Sequence, residues 1–187
     1  MKIGWRKTSG SNVFRNVGIW QGIATGFGDV GKAFLAVFLA KSFGLSPLLQ
    51  ALCGTAAIIG NNWSCFLKFA GGRGIGAFLG AFLALSPKLL GFSLIPFILL
   101  SLVWNSSIGT IFFLIVSLSL AIYFGQFQTV GILTLASLAP IFIKRLSPVK
   151  ELSWQKKELI RNRLIFDNDV SYSGLRITRL FRRLTRR

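Results

Sequence analysis

The stretch of this 187-residue sequence best suited to chemistry is a glycine-rich segment between residues 60 and 76. Its closely spaced glycines are Gly71, Gly72, Gly74 and Gly76. They free the backbone to turn its N–H groups toward one point at the start of a following helix, an arrangement that binds phosphate without side chains. Arg73 and Lys68 would add charged donors. Glycine is also common where membrane helices pack closely, so an anion site and a packing role both remain open.

A second polar stretch comes earlier in the chain, just before the first apolar segment. Its small polar residues are Ser9, Ser11 and Asn12, and Arg15 follows them. Serine and asparagine side chains can cap a helix or stabilise an oxyanion. Taken by itself, this stretch favours helix capping.

Several kinds of chemistry are excluded by composition. The sequence contains no histidine, which removes that residue as a general base, proton shuttle or metal ligand. Cys53 and Cys65 both lie in apolar sequence, where a thiol normally packs as a small hydrophobe. We therefore predict no disulfide framework, no metal site and no cofactor.

The elements that must position these residues are apolar helices. Hydrophobic residues make up 52% of the chain, charged residues only 14%, and the mean hydropathy is +0.62. In hydrocarbon, only intra-segment hydrogen bonding or a closed barrel satisfies the backbone, so blocks of apolar residues indicate helices. The predicted fold class is all-α, a polytopic integral membrane protein.

Apolar runs long enough to approach the roughly 20 residues of a membrane span predict about six transmembrane helices. They lie at 19–40, 45–66, 74–86, 89–104, 107–124 and 128–143. The third run is short. It could be re-entrant, or it could merge with the fourth across Ser86-Pro87-Lys88, which makes five crossings the alternative.

The charge distribution predicts the orientation. The chain has 22 Lys and Arg against 5 Asp and Glu, and six crossings leave only Lys41 and Lys88 opposite the cation-rich side. The positive-inside rule then places both termini in the cytoplasm. The first 18 residues contain no apolar run of signal-peptide length, so no cleavable signal is predicted. Lys32 and Asp29 remain within or at the edge of the first span, one helical turn apart, where they can share the cost of desolvation.

The composition changes after residue 146, which divides the chain into a membrane-embedded domain at 1–146 and a basic cytoplasmic tail at 147–187. Arginines alternate with leucine and phenylalanine over residues 173–187, as is typical of an amphipathic helix on an anionic leaflet. A solvated, partly disordered tail is the alternative. Lipid headgroups account for this charge, so no nucleic-acid partner is expected.

Taken together and in order, these motifs resemble the bacterial acyl-phosphate:glycerol-3-phosphate acyltransferases, the PlsY family. That family has a GSGNxGATNxxR segment, a D-x-x-K helix and a GHxxPxFxxFxGGKG segment. The corresponding residues here are Asn12-Val13-Phe14-Arg15, Gly18, Gly28-Asp29-Val30-Gly31-Lys32-Ala33, Gly60 to Gly74, and Leu85-Ser86-Pro87. The resemblance covers roughly residues 9–146.

The resemblance implies an enzyme of the bacterial cytoplasmic membrane that moves a fatty acyl group from acyl-phosphate to the 1-hydroxyl of glycerol 3-phosphate, forming lysophosphatidic acid. Catalytic roles would fall to Asn12, as a fixed amide that orients the reacting carbonyl or hydroxyl, and to Asn61. The predicted phosphate-binding residues are Ser9, Ser11, Asn12, Arg15, Lys32, Lys68, Gly71, Gly72, Arg73 and Gly74. Membrane lipid, with anionic headgroups at the basic tail, would be a further partner.

The chain also departs from the family pattern. Asn61 replaces its histidine, Ser64 its proline and Arg73 its loop lysine, while Ala139 and Phe142 replace a later histidine and asparagine. The first motif is compressed, Trp104-Asn105-Ser106-Ser107 has no arginine, and no counterpart of the first transmembrane helix follows Met1. The alternative function is therefore a catalytically impaired relative that binds a phosphorylated lipid or metabolite in the membrane.

Overall fold

The computed structural model describes residue 13 and residues 17–147 and 157–166, and within them the protein is all-α, as predicted. The described residues form seven α-helices in this order: α1 (Ile19–Ser42), α2 (Pro47–Asn62), α3 (Ile75–Leu85), α4 (Pro87–Val103), α5 (Ser106–Tyr123), α6 (Ile132–Leu146) and α7 (Lys157–Phe166). A 3₁₀ turn at Cys65–Leu67 follows α2, and a π-helical turn at Phe127–Gly131 runs directly into α6.

The helix boundaries follow from local sequence. Pro47 occupies the first turn of α2, where a missing N–H is not needed, and the Ser46 side chain accepts from the Leu49 N–H at 3.5 Å. Asn105 caps α5 in the same way, accepting from the Ser107 N–H at 3.2 Å. The third and fourth apolar runs form two helices because Ser86 is extended ahead of Pro87.

In the part of the chain that the structure describes, three helical segments are long and apolar enough to cross a membrane by length and composition: Ile19–Ser42, Ser106–Tyr123 and Phe127–Leu146, of 24, 18 and 20 residues. Helices α3 and α4 are shorter apolar helices of 11 and 17 residues, and α2 has 16. The polytopic membrane character is therefore confirmed. Six crossings and cytoplasmic termini stay predictions.

The core is built from aromatic and branched side chains of α3 and its neighbours. Phe78 and Phe82 of α3 and Phe113 of α5 are fully buried, with ring centroids 5.5 to 6.1 Å apart. Many large apolar side chains instead point outward, among them Phe27, Leu99 and Ile122, as expected where lipid rather than water surrounds the bundle.

Close packing of α1 on α3 brings the polar residues of α1 to the candidate site. A Cβ on Gly80 would lie 2.0 Å from the carbonyl oxygen of Val30, and one on Gly76 would lie 3.0 Å from the Cβ of Asp29. Small residues on one helix allow the other backbone to approach this closely. Asp29, and Lys32 one turn further along, are thereby held beside the start of α3.

Helix α7 lies in the predicted tail and is fixed to the bundle by two buried arginines. Arg145 of α6, 2% exposed, donates to the carbonyls of Leu164 and Ser107 at 2.9 and 3.2 Å. Arg163 of α7, 4% exposed, donates to the carbonyl of Leu146 at 3.3 Å. Each arginine thus satisfies a carbonyl at the C-terminal end of the other helix, where intrahelical donors run out and the helix dipole favours a cation. The predicted interfacial helix at 173–187 lies outside the described residues.

This reciprocal arrangement predicts that Arg163→Ala loosens α7. Hydrogen bonds from charged donors contribute about 1.5–3 kcal/mol, so amide hydrogen exchange of residues 157–166 should accelerate by roughly tenfold or more in detergent-solubilised protein. Arg161→Ala is the matched control. The Arg161 side chain is 62% exposed, and its ion pair with Glu158, at 4.0 Å, lies on the surface and contributes little to stability. Equal protection of α7 in wild type and Arg163→Ala would contradict the prediction.

Candidate functional site

The candidate site is organised around two asparagines that end α2. Asn61 is 6% exposed and Asn62 is fully buried. Asn61 faces α1, where its Oδ1 accepts a hydrogen bond from the Lys32 Nζ at 2.5 Å. The same Nζ contacts the Asp29 Oδ1 at 2.7 Å, so the ion pair expected from their spacing is present. A polar chain from Asp29 through Lys32 to Asn61 therefore joins α1 to α2.

The side-chain amide of Asn61 is only partly hydrogen-bonded within the described residues. Its Nδ2 is buried and has no partner among the described residues, while its Oδ1 is occupied by Lys32. A buried unpaired donor carries a cost of about 1–3 kcal/mol, and such groups are rare in native proteins. An incoming oxygen atom could accept from this amide.

Asn62 turns the other way, toward α6 and the glycine loop. Its Nδ2 donates to the carbonyl of Pro140 at 3.0 Å. Its Oδ1 lies against Gly74, where a Cβ would be only 2.7 Å away. The asparagine pair thus contacts α1 through Asn61 and α6 through Asn62.

The loop at residues 71–74 is packed directly on the end of α2. A Cβ on Gly71 would lie 2.3 Å from the carbonyl oxygen of Asn62 and 2.4 Å from that of Asn61, so only glycine fits. The Gly72 N–H donates to the Asn61 carbonyl at 3.1 Å. Gly74 has φ +78°, a left-handed conformation that glycine adopts without strain. One predicted phosphate donor, the Gly72 N–H, is therefore used within the protein.

Further backbone N–H donors lie at the start of α3. Phe78 N–H makes the first intrahelical bond of α3, to the Gly74 carbonyl at 2.8 Å. The N–H groups that precede it in the helix, beginning at Gly74, have no intrahelical acceptor, and the helix dipole gives this end a partial positive charge. With Lys32 nearby on α1, these donors form an arrangement suited to an anion.

The predicted site residues are only partly brought together. Lys32, Asn61 and the loop from Gly71 to Gly74, with a half-buried Arg73 inside it, lie at one end of the bundle. Lys68 instead lies on an exposed turn in a left-handed conformation (φ 53°). Ser9, Ser11, Asn12 and Arg15 lie outside the described residues.

Three further residues of this region have no counterpart among the sequence predictions. These are Asn62, Trp63 and Lys144, whose Nζ lies 5.4 Å from the centroid of the Trp63 ring. Such a cation–π contact stabilises a charge that is shielded from water. Two adjacent amides at the end of an apolar run are the one signal in the sequence that could have identified Asn62.

Positions that differ from the family pattern have structural contacts of their own. Phe142 lies beneath the Arg145 guanidinium, 5.3 Å from ring centroid to Cζ. In the segment that lacks an arginine, Asn105 caps α5 and the Ser107 hydroxyl donates to the Phe166 carbonyl at 2.9 Å. These residues therefore hold helix ends together.

Gly74→Ala should disturb both the loop and its ligand. A left-handed alanine costs about 1–2 kcal/mol, and here its Cβ would also meet the Asn62 Oδ1. Gly44→Ala is the matched control: Gly44 has φ +69°, but a Cβ there meets nothing within 4 Å. In thermal unfolding in detergent, both variants should melt at a lower temperature than wild type, because both place alanine in a left-handed conformation. Only Gly74→Ala should show a smaller shift of the melting temperature on addition of glycerol 3-phosphate. A full ligand shift in Gly74→Ala would contradict the assignment.

Comparisons with known sequences identify the family. The sequence model described as glycerol-3-phosphate acyltransferase matches residues 1–153. The glycerol-3-phosphate acyltransferase of Thermosipho melanesiensis is 45% identical over 86 residues, covering 46% of this chain and 42% of that protein. That of Trichlorobacter lovleyi is 44% identical over 102 residues, covering 54% and 53%. The chain therefore spans about half the length of these relatives.

Solved structures show the same fold. The crystal structure of PlsY, an integral membrane glycerol 3-phosphate acyltransferase, in its glycerol 3-phosphate form matches with a TM-score of 0.69 and 24% identity, over 79% of this chain and 75% of that chain. The lysophosphatidic acid form matches with a TM-score of 0.66, over 77% and 74%. The resemblance inferred from the ordered motifs is thus confirmed, and the chain belongs to the glycerol-3-phosphate acyltransferase family.

Proposed function

We propose that this protein transfers a fatty acyl group from acyl-phosphate to the 1-hydroxyl of glycerol 3-phosphate, forming lysophosphatidic acid for phospholipid synthesis. The observation that carries the proposal is the Asp29–Lys32–Asn61 chain beside the glycine loop and the start of α3. It places a fixed cation and helix N–H donors at the end of an apolar bundle. The solved relatives are named as glycerol 3-phosphate and lysophosphatidic acid forms, and both ligands carry a phosphate.

Lys32 is suited to hold such a phosphate. An ammonium group has three donors, and Asp29 and Asn61 engage two of them, which leaves the third available and the side chain fixed in place. Asp29 is the one acidic residue in the first 150 positions of the sequence, so the surrounding charge favours an anionic substrate. Arg73 and the donors at the start of α3 would complete the phosphate contacts, and Ser9, Ser11, Asn12, Arg15 and Lys68 are proposed to contribute as well.

The chemical step follows from the two substrates. The 1-hydroxyl oxygen attacks the carbonyl carbon of acyl-phosphate, the new ester bond forms, and the bond to phosphate breaks. Negative charge develops on the carbonyl oxygen, where the unpaired Asn61 Nδ2 or the Asn12 amide would stabilise it. The departing phosphate accepts the hydroxyl proton, so no histidine is needed as a base.

The surroundings of the site fit a lipid substrate. Phe66 and Phe69 are largely exposed on either side of Lys68, and the outer faces of the helices are apolar, so an acyl chain can stay in hydrocarbon while its phosphate meets the loop. The proposed location is the bacterial cytoplasmic membrane with both termini inside. The basic tail at 147–187, which holds 11 of the 22 cations, would contact anionic headgroups.

The proposal is tested by expressing the protein in membranes and supplying acyl-phosphate with glycerol 3-phosphate. Lysophosphatidic acid should form, and Lys32→Met should reduce its rate about 10- to 100-fold, since a charge-assisted contact contributes about 1.5–3 kcal/mol. Lys41→Met is the control, because Lys41 contacts the Ala84 carbonyl at 3.3 Å, near the far end of α1. Wild-type membranes that form no more product than empty membranes would overturn the proposal.

A second candidate function is a relative that binds a phosphorylated lipid or metabolite without turnover. The observation that favours it is the apolar pair Ala139 and Phe142, which stands where the family carries histidine and asparagine, with Phe142 packed on Arg145. This candidate predicts that glycerol 3-phosphate raises the melting temperature while no acyl product forms. Equal melting with and without the ligand would remove it.

A further inference from the structure

We propose that Asn62 is a positioning residue, whose buried amide sets the shape of the phosphate loop by joining it to α6. The inference rests on the proposed function and deepens it. Asn62 is fully buried and bridges two elements far apart in sequence, since its Nδ2 donates to the Pro140 carbonyl at 3.0 Å. A buried amide that loses its partner is costly, so this bond fixes the side-chain orientation.

The orientation matters because the two ends of the amide differ. The Pro140 carbonyl can only accept, so it takes the NH₂ end of Asn62 and leaves the Oδ1 end facing Gly74. Both ends of the amide lie close to Gly74, since a Cβ there would be 2.7 Å from the Oδ1 and 3.1 Å from the Nδ2. The Oδ1 accepts from no N–H among the described residues, so the N–H groups at the start of α3 remain available to an anion while the amide packs against the loop.

Asn62 contacts both ends of the loop. Its own carbonyl lies so close to Gly71 that a Cβ there would be 2.3 Å away, and its side chain lies against Gly74. Between these two points, the Gly72 N–H is bonded to the neighbouring Asn61 carbonyl. Three of the four loop residues therefore rest on the last turn of α2, so the loop shape follows the placement of this turn.

A further sign of a positioning role is that the Asn62 Oδ1 has no hydrogen-bond partner among the described residues. A residue selected for stability alone would be expected to satisfy both ends of a buried amide. Here the acceptor end packs on glycine instead. Its position therefore serves the loop geometry more than the packing of the bundle.

The test compares Asn62→Leu, which keeps the volume but removes both polar ends, with Thr134→Val. Thr134 is also buried, and its Oγ1 donates to the Val130 carbonyl at 2.7 Å. Its atoms are not among those nearest to Gly71 or Gly74. Asn62→Leu should raise the KM for glycerol 3-phosphate about tenfold with kcat within about twofold of wild type. Thr134→Val should lower the melting temperature and leave KM unchanged.

Hydrogen exchange of a peptide covering residues 71–74 supplies a readout that does not need turnover. It should be faster in Asn62→Leu than in wild type and unchanged in Thr134→Val. If wild type forms no product, the proposed function fails, while loop exchange and the glycerol 3-phosphate concentration for half-maximal thermal protection still decide the role of Asn62. Asn62→Ser, which is smaller and keeps a polar group, replaces Asn62→Leu in all measurements should the latter not fold.

The proposal is overturned if the Asn62 variants melt at a lower temperature but keep wild-type loop exchange and wild-type ligand affinity. It is overturned equally by faster loop exchange with unchanged affinity, because the loop geometry would then be irrelevant to binding. Faster exchange together with weaker binding, absent from Thr134→Val, supports it.

Discussion

The site depends on how the last turn of α2 satisfies its polar groups where water is largely excluded. A helix leaves its final carbonyls without intrahelical donors, and here the Asn61 carbonyl receives the Gly72 N–H. The side chains of Asn61 and Asn62 then extend the same hydrogen bonding to Lys32 on α1 and to Pro140 on α6. Three helices and the loop are thus connected by one pair of adjacent amides. Because Asn61 and Asn62 are buried, loss of either bond would leave a buried amide atom unpaired.

The glycines of this protein allow close packing, on which the proposed anion site depends. Gly80 allows α1 to touch α3, and Gly71 allows the loop to touch the end of α2; in both cases a Cβ would collide with backbone. These contacts are what place Lys32 and the start of α3 near one another. The two interpretations of the glycine-rich segment, close packing and anion binding, are therefore compatible, since the first creates the geometry on which the second depends.

Buried cations at this end of the bundle contact backbone carbonyls and an aromatic ring. Arg145 and Arg163 bond to carbonyls at helix ends, and Lys144 lies over an aromatic ring. The helix dipole makes the carbonyl end of a helix favourable for a cation, so these contacts contribute to stabilising the buried charges. The sequence has 22 Lys and Arg against 5 Asp and Glu, so contacts of this kind help to accommodate its cations.

The sequence by itself determined the helical membrane architecture, the positions of the apolar segments and the family, because hydropathy is set by composition over many residues and the ordered motifs are local. It also indicated the Asp29–Lys32 pair, since an i, i+3 spacing on a helix leaves little freedom. Only the tertiary structure decided that Asn61 pairs with Lys32, that Asn62 reaches Pro140 and that the Gly72 N–H is already occupied. Lys32 and Asn61 are 29 positions apart in the sequence, Asn62 and Pro140 are 78 positions apart, and the Gly72 N–H turns back across a loop to reach Asn61. Such contacts depend on how closely the helices approach one another, which follows from packing in three dimensions.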